Sequence, residues 1–287
     1  MNMNSGRFET ILILQCRGLG DALISTSIIN AIHKSWRNAK IDIWASPEIA
    51  VLFQDNPAVN RCYIQSLPII RRYKFTWSSV TGFITAIRSL RARRYDLCMN
   101  LVGDFRENLL TSLVGAKTTW AIAWDTGHPF RKIIRPGLSW LIGHNEYISK
   151  DIENIYDVYN QVAVSMGAGD ASDIGSWGQK VFSPENGMAR KRVAIHPLAG
   201  QACREWQFEK WNRLVEGILE MGCDVAICAE AGKHNFLDRA FEEWINEPRV
   251  VIHAGGVREF FRMLASAVAF VGLDSFGVHA AGFLWLG

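Results

Sequence analysis

Phe270-Val271-Gly272-Leu273-Asp274-Ser275-Phe276-Gly277-Val278-His279-Ala280-Ala281 is the stretch on which the reading of the fold turns. The apolar run Ala267 to Val271 reads as a buried strand, and Asp274 and Ser275 follow at once. Ser275 is placed to cap the helix suggested by Val278-His279-Ala280-Ala281. A strand tip that opens into a helix N-terminus sets free backbone N–H groups and a positive dipole end at the mouth of a sheet. Such a site favours an anion, usually phosphate or diphosphate. The Asp274 carboxylate in the same turn repels phosphate, so hydroxyl groups beside it are its better partners. Phosphate together with hydroxyls suggests a nucleotide-sugar. An ordinary turn capped by Asp and Ser accounts for the same residues, so the rest of the chain must decide.

Upstream of that stretch the pattern is repeatedly strand, loop, helix. Arg192 to His196 reads as a strand, Pro197 to Arg204 as a loop, and Glu209 to Met221 as a helix. Asp224 to Ala229 is a strand that ends in Glu230-Ala231-Gly232-Lys233. A helix over Leu237 to Ile245, a strand over Val250 to Ile252 and a helix over Val257 to Leu264 complete the half. Alternation of this kind predicts a parallel sheet. Three loops then lie at strand C-termini: Pro197 to Arg204, Glu230 to Lys233 and Leu273 to His279. In a parallel sheet they converge on one edge, where α/β folds bind ligands. Arg204 is a fork donor for diphosphate oxygens, and Glu230 can accept two hydrogen bonds from a ribose diol. Gly200, Gly255 and Gly256 permit close backbone approach. Each residue also has a plain account as a surface cation, a helix-start carboxylate or a turn glycine.

The first half begins the same way. Ile11 to Leu14 reads as a strand, Gly18-Leu19-Gly20-Asp21 as a turn, Ala22 to Trp36 as one helix and Ile41 to Trp44 as a second strand. Strands at Arg61 to Ile64 and Asp96 to Leu101 follow, with helices over Phe83 to Leu90, Phe105 to Val114 and Tyr156 to Met166. The stretch Trp120 to Trp140 is mixed, broken by Pro129 and Pro136. Leu23 stands where a dinucleotide fingerprint needs its third glycine, and no acidic residue ends the next strand, so an NAD site is rejected. What remains is Asp21 in the first turn of a helix at the ligand-binding edge. Residues 1–168 form the first expected domain, 169–188 a polar, loop-rich linker, and 189–287 the second.

Composition agrees with two globular domains. The chain has 287 residues, of which 49% are hydrophobic and 21% charged, enough to bury a sizeable core. A net charge of +3 is too small to argue for nucleic acid. Six cysteines, at 16, 62, 98, 203, 223 and 228, form no C-x-x-C pair and read as reduced thiols of a cytoplasmic protein. Met1 to Thr10 lacks the apolar centre of a signal peptide, and no run is long and apolar enough to span a bilayer. Two basic stretches, Arg71-Arg72-Tyr73-Lys74-Phe75-Thr76-Trp77 and Arg88, Arg91, Arg93 and Arg94, read either as solvated faces or as a surface for an acidic partner or an anionic membrane.

Gly20-Asp21-Ala22-Leu23, His196-Pro197 through Arg204-Glu205-Trp206, and Asp274-Ser275 through His279 together resemble the bacterial glycosyltransferase family 9, the ADP-heptose:lipopolysaccharide heptosyltransferases. The order and spacing agree from about Ile11 to the end. The resemblance implies an α/β protein of the GT-B type, with two Rossmann-like domains facing a central cleft. It also implies an inverting transferase without metal or cofactor that moves a heptose from ADP-heptose to a lipopolysaccharide-core acceptor. The acceptor would lie in the first domain and the nucleotide-sugar donor in the second, with peripheral contact to the inner membrane open. By the same resemblance Asp21, beside Gly20, is the general base, and Arg204 stands where the family has Lys and neutralises the diphosphate. Glu230 holds the ribose, backbone near Gly255 the adenine, and Asp274 the sugar hydroxyls. Ser275 and Gly277 hold phosphate, and His279 braces the turn. Two departures stand out. Gly200 replaces a small hydroxyl residue, and Phe276 replaces a glycine. The family continues beyond the equivalent of Gly287 with a strand and a C-terminal helix, so a shortened second domain is expected. A same-family transferase using another nucleotide-sugar and a catalytically silent nucleotide-sugar-binding protein are the alternatives.

Overall fold

The computed structural model describes residues 8–15, 18–64, 77–103, 105–124, 141–149, 151–152, 154–173, 176–182, 191–200 and 202–285. The basic run Arg71 to Thr76, Pro129, Pro136, Cys16 and the loop Ser183 to Gly187 lie outside them. The chain divides into two compact units, Met1–Ile174 and Gly175–Gly287.

The first unit carries six parallel strands: β1 Thr10–Gln15, β2 Lys40–Ala45, β3 Val59–Ile64, β4 Leu97–Asn100, β5 Thr118–Trp124 and β6 His144–Ile148. Their order is β3-β2-β1-β4-β5-β6. β1, β2 and β4 are almost continuously buried, as strands covered on both faces must be. The helices are α1 Leu19–Ile24, α2 Thr26–Ser35, α3 Pro47–Gln54, α4 Trp77–Ala92, α5 Phe105–Val114 and α6 Ile155–Met166. Leu12, Leu14, Trp44 and Cys98 of the sheet pack against Leu90 of α4 and Leu110 and Val114 of α5. α2 packs on α6.

One expected helix, Ala22 to Trp36, is two. Ser25, Thr26 and Ser27 are buried, and each hydroxyl donates to the carbonyl three residues back, on Ala22, Leu23 and Ile24. Three successive hydroxyls competing with the ladder divide the helix at Ser25. β6, with the polar sequence HNEYI, carries no period-two signal and escapes sequence reading. At the N-terminal rim of the sheet the Asp96 carboxylate accepts from Lys117 Nζ at 2.7 Å and from the Glu9 and Thr10 amides at 3.0 Å. The Lys117 bond first, and these amides after it, hold Asp96 at about 2, below the usual carboxylate range.

The second unit has four parallel strands: β7 Arg192–His196, β8 Asp224–Glu230, β9 Val250–Gly255 and β10 Ala269–Gly272, in the order β10-β7-β8-β9. Read from β9, this repeats the first four positions of the other sheet, β3-β2-β1-β4. The helices are α7 Ser176–Phe182, α8 Phe208–Glu220, α9 His234–Ala240, α10 Val257–Ala265 and α11 Phe276–Trp285. Trp211, Val215, Ile218 and Leu219 lie on one side of α8 and bury against Val193, Ile195, Val225 and Ile227. Single-turn 3₁₀ segments follow at Ala202–Arg204 and Glu242–Trp244, the latter ending the helix expected over Leu237 to Ile245.

α7 falls inside the stretch read as a linker, and it packs on α10 and α11. Phe182 stacks on Phe261 at 4.7 Å, and Trp177 meets Phe283 edge-on at 5.2 Å. A Cβ on Gly178 would lie 2.0 Å from Phe283 Cε1, and that ring is only 1% exposed. Gly178→Ala is therefore expected to destabilise the protein by about 1–3 kcal/mol through overpacking. Urea unfolding measures this, and an unchanged midpoint would detach α7 from the core of the second unit.

Candidate functional site

Where neighbouring strands send their crossovers to opposite faces, the C-terminal strand ends are left uncovered. In the second unit that place lies between β7 and β10, where His196 pairs with Gly272. The loop after β7 carries Arg204, and the loop after β10 carries Asp274 and Ser275. Glu205 shapes the first loop by accepting from the Ala199 amide at 3.2 Å. Arg204 Nη1 donates to Asp274 Oδ2 at 2.8 Å and to the Asp274 carbonyl at 3.4 Å. The two loops thus join across the crevice. Both side chains remain open to solvent, at 47% for Arg204 and 78% for Asp274.

His196 forms the floor. Its ring is 4% exposed, with Nδ1 3.4 Å from Ser275 Oγ and Nε2 4.0 Å from Glu230 Oε1. Burial pushes the imidazole below the ordinary histidine range, and the Glu230 charge opposes that shift. Glu230 ends β8 directly opposite Gly255 at the end of β9. Gly277 is buried in the first turn of α11, and a Cβ there would lie 2.8 Å from Phe270 Cζ and 3.5 Å from the His196 ring. Only a glycine lets the start of α11 approach that floor so closely. Gly200 is exposed in the loop after β7, and His279 is half-buried one turn into α11. Arg204, Glu230, Gly255, Asp274, Ser275 and Gly277 are therefore gathered on one sheet edge. His196, which sequence reading does not single out as a site residue, joins them. The signal for it was a histidine closing an apolar strand ahead of Pro197.

The first unit has its own reversal, between β1 and β4. Gly18 takes φ 40°, in the left-handed region, and opens α1, whose first turn holds Asp21. Asp21 is exposed, and its Oδ2 lies 2.7 Å from where a Gly18 Cβ would stand, so the carboxylate leans back over the helix start. Gly20 is half-buried beside it. Tyr159 of α6 is buried nearby. Burial pushes its phenol up, and the Asp21 charge adds to that. Across the reversal, Asn100 Oδ1 accepts from the Val102 and Gly103 amides, and its Nδ2 donates to Asn108 at 2.8 Å. Gln15, at the tip of β1, is fully buried with both amide atoms unpaired among the described residues. Sequence reading singled out neither Gln15 nor Asn100, although both end apolar strands with a polar amide.

Of the second basic stretch, Arg91 donates to the Leu113 carbonyl at 3.3 Å and Arg93 lies 5.5 Å from the Tyr63 ring, so both brace the protein itself. Cys62, Cys98, Cys223 and Cys228 are free thiols. Among the described residues no helix is long and apolar enough to cross a membrane.

Two doubly wound parallel units, each with a strand reversal that leaves strand ends uncovered, are the GT-B architecture of glycosyltransferases. The chain belongs to glycosyltransferase family 9 (heptosyltransferase), whose family model matches residues 84–282. It is 23% identical to an Escherichia coli protein named lipopolysaccharide heptosyltransferase 3 over 273 residues, 91% of this chain and 77% of that protein. Its fold matches the E. coli heptosyltransferase WaaC solved with ADP at a TM-score of 0.80 and 16% identity, covering 96% of this chain and 84% of that one. WaaC solved with ADP-2-deoxy-2-fluoro heptose gives a TM-score of 0.80 and 17% identity, covering 96% and 86%.

Two outcomes follow from the second unit's edge. Arg204→Ala is expected to weaken ADP binding by about 1.5–3 kcal/mol, the scale of a charge-assisted hydrogen bond, and AMP binding much less. Calorimetry with both nucleotides measures this, and equal losses would move Arg204 away from the distal phosphate. The second outcome concerns His196. The unfolded chain protonates this ring near the ordinary value of about 6.5, and the folded protein only at lower pH. The unfolded state therefore holds more protons in between, and stability is lost as pH falls below that value. Denaturant midpoints across this range should fall more steeply for the wild type than for His196→Gln. Parallel curves would remove His196 as the cause.

Proposed function

We propose that this glycosyltransferase moves a heptose from ADP-heptose to a lipopolysaccharide-core sugar, with inversion at the anomeric carbon and without a metal ion. The Arg204–Asp274 bridge at the β7–β10 reversal carries the reading. It sets a guanidinium and a carboxylate beside the start of α11, the combination that a diphosphate bound to a polyol needs. The ADP and the ADP-2-deoxy-2-fluoro heptose with which WaaC was solved support the same donor class.

The second unit binds the donor. Arg204 takes the charge of the departing diphosphate, and the Ser275 hydroxyl, the Gly277 region and the free amides at the start of α11 take the rest. Backbone at Gly200 reaches a phosphate oxygen where a hydroxyl residue is absent. Glu230 accepts from the ribose diol, backbone near Gly255 meets the adenine, Asp274 holds sugar hydroxyls, and His279 braces the turn. In the first unit Asp21 accepts the proton of the acceptor hydroxyl as that oxygen attacks the anomeric carbon opposite the diphosphate. The glycosidic bond to phosphate breaks, ADP leaves with its electron pair, and configuration inverts. The work is done on the cytoplasmic side of the inner membrane, with peripheral contact to that surface bringing the lipid-linked acceptor within reach.

The test is transfer from ADP-heptose to core lipopolysaccharide lacking heptose, run beside a panel of other nucleotide-sugars. Asp21→Asn should keep the fold and the donor affinity while turnover falls by about two to four orders of magnitude, the usual scale for a positioned base. Turnover within a few-fold of the wild type would leave Asp21 as a helix-start carboxylate. Faster transfer from a different nucleotide-sugar would overturn the choice of donor.

A further inference from the structure

We infer that Asp274 makes the donor site discriminate against bare ADP, the product of the proposed reaction, in favour of the sugar-bearing donor. The inference rests on the reading of Arg204 as the diphosphate cation and extends it to selectivity and product release.

The two hydrogen bonds of Arg204 to described residues both end on Asp274. Asp274 lies two residues before the start of α11, so its carboxylate competes with a phosphate for the helix end as well as for the guanidinium. The competition is easily reversed. Both side chains are well exposed, and an exposed ion pair is worth about 0–1 kcal/mol, so an arriving diphosphate can take Arg204 over. Asp274 is then left without its counter-charge. What it meets next depends on what the diphosphate carries.

In ADP-heptose the distal phosphate is esterified and bears a single negative charge, and sugar hydroxyls beyond it can donate to the carboxylate. In ADP that phosphate is a terminal group of about −1.5 to −2 charge near neutral pH, with no hydroxyl donors beyond it. Asp274 then faces like charge across a short distance and gains nothing in return. Donor is held and product is repelled. As ADP leaves, Arg204 returns to Asp274, which restores the bridge seen here.

The experiment is calorimetry of AMP, ADP and ADP-heptose, without acceptor, on the wild type, Asp274→Asn and Arg204→Ala. Product inhibition by ADP is measured alongside. Asp274→Asn should bind ADP about three- to ten-fold tighter at low salt, with AMP little changed and ADP-heptose no tighter. Added salt should narrow the gain, and ADP should become the stronger product inhibitor. Unchanged or weakened ADP binding in Asp274→Asn, with Arg204→Ala still impaired, would overturn this inference alone. Intact ADP binding in Arg204→Ala would overturn the diphosphate reading on which it stands.

Discussion

The uncovered edge between β7 and β10 is the constraint on which the second unit depends. A parallel sheet satisfies its backbone groups along every strand except at the tips, and helices normally cover the tips. Here the strand order β10-β7-β8-β9 sends the connections from β7 and β10 apart. The ends of these two strands stay open, and three features then follow. Gly277 lets α11 come down close to His196. The buried His196 ring supports Ser275 and faces Glu230. Arg204 and Asp274 span the opening from either side. The aromatic packing of Trp177, Phe182, Phe261 and Phe283 from α7, α10 and α11 stiffens one face behind them.

Much of this was legible because parallel α/β architecture writes itself as apolar runs broken by polar loops. The runs at Ile11, Arg192, Asp224 and Phe270 gave strands, and the loops after them gave Asp21, Arg204, Glu230 and Asp274. Periodicity reports burial, so it failed where burial was partial or shared. β6 is a half-exposed strand with no alternation to detect. The break at Ser25 depends on hydroxyls turning back onto carbonyls, which a count of apolar spacing cannot see. α7 looked like linker because its short apolar face, Trp177 and Phe182, sits between polar loops.

Side-chain pairing was the least legible layer. Arg204 and Asp274 stand 70 positions apart, and sequence reading matches each to a ligand rather than to the other. Only the strand order brings them together. The same holds for His196 and Ser275, 79 positions apart. A sequence can nominate residues for one edge, but the pairing across it is decided by which strands are neighbours.

The two units share four strand positions, yet the side chains at the two reversals differ. The first unit offers a carboxylate, Asp21, with neutral amides at Gln15, Asn100 and Asn108. The second offers a guanidinium and the start of a helix, with Asp274 held in check by the ion pair. Glycosyl transfer makes these two demands. In the proposed reaction the attacking hydroxyl must lose a proton, which calls for a carboxylate such as Asp21. The leaving diphosphate gains charge, which calls for cations and oriented amides. Under the proposed function, one backbone plan used twice gives each unit its own opening, with Asp21 in the first turn of α1 at one and Arg204 on the loop after β7 at the other.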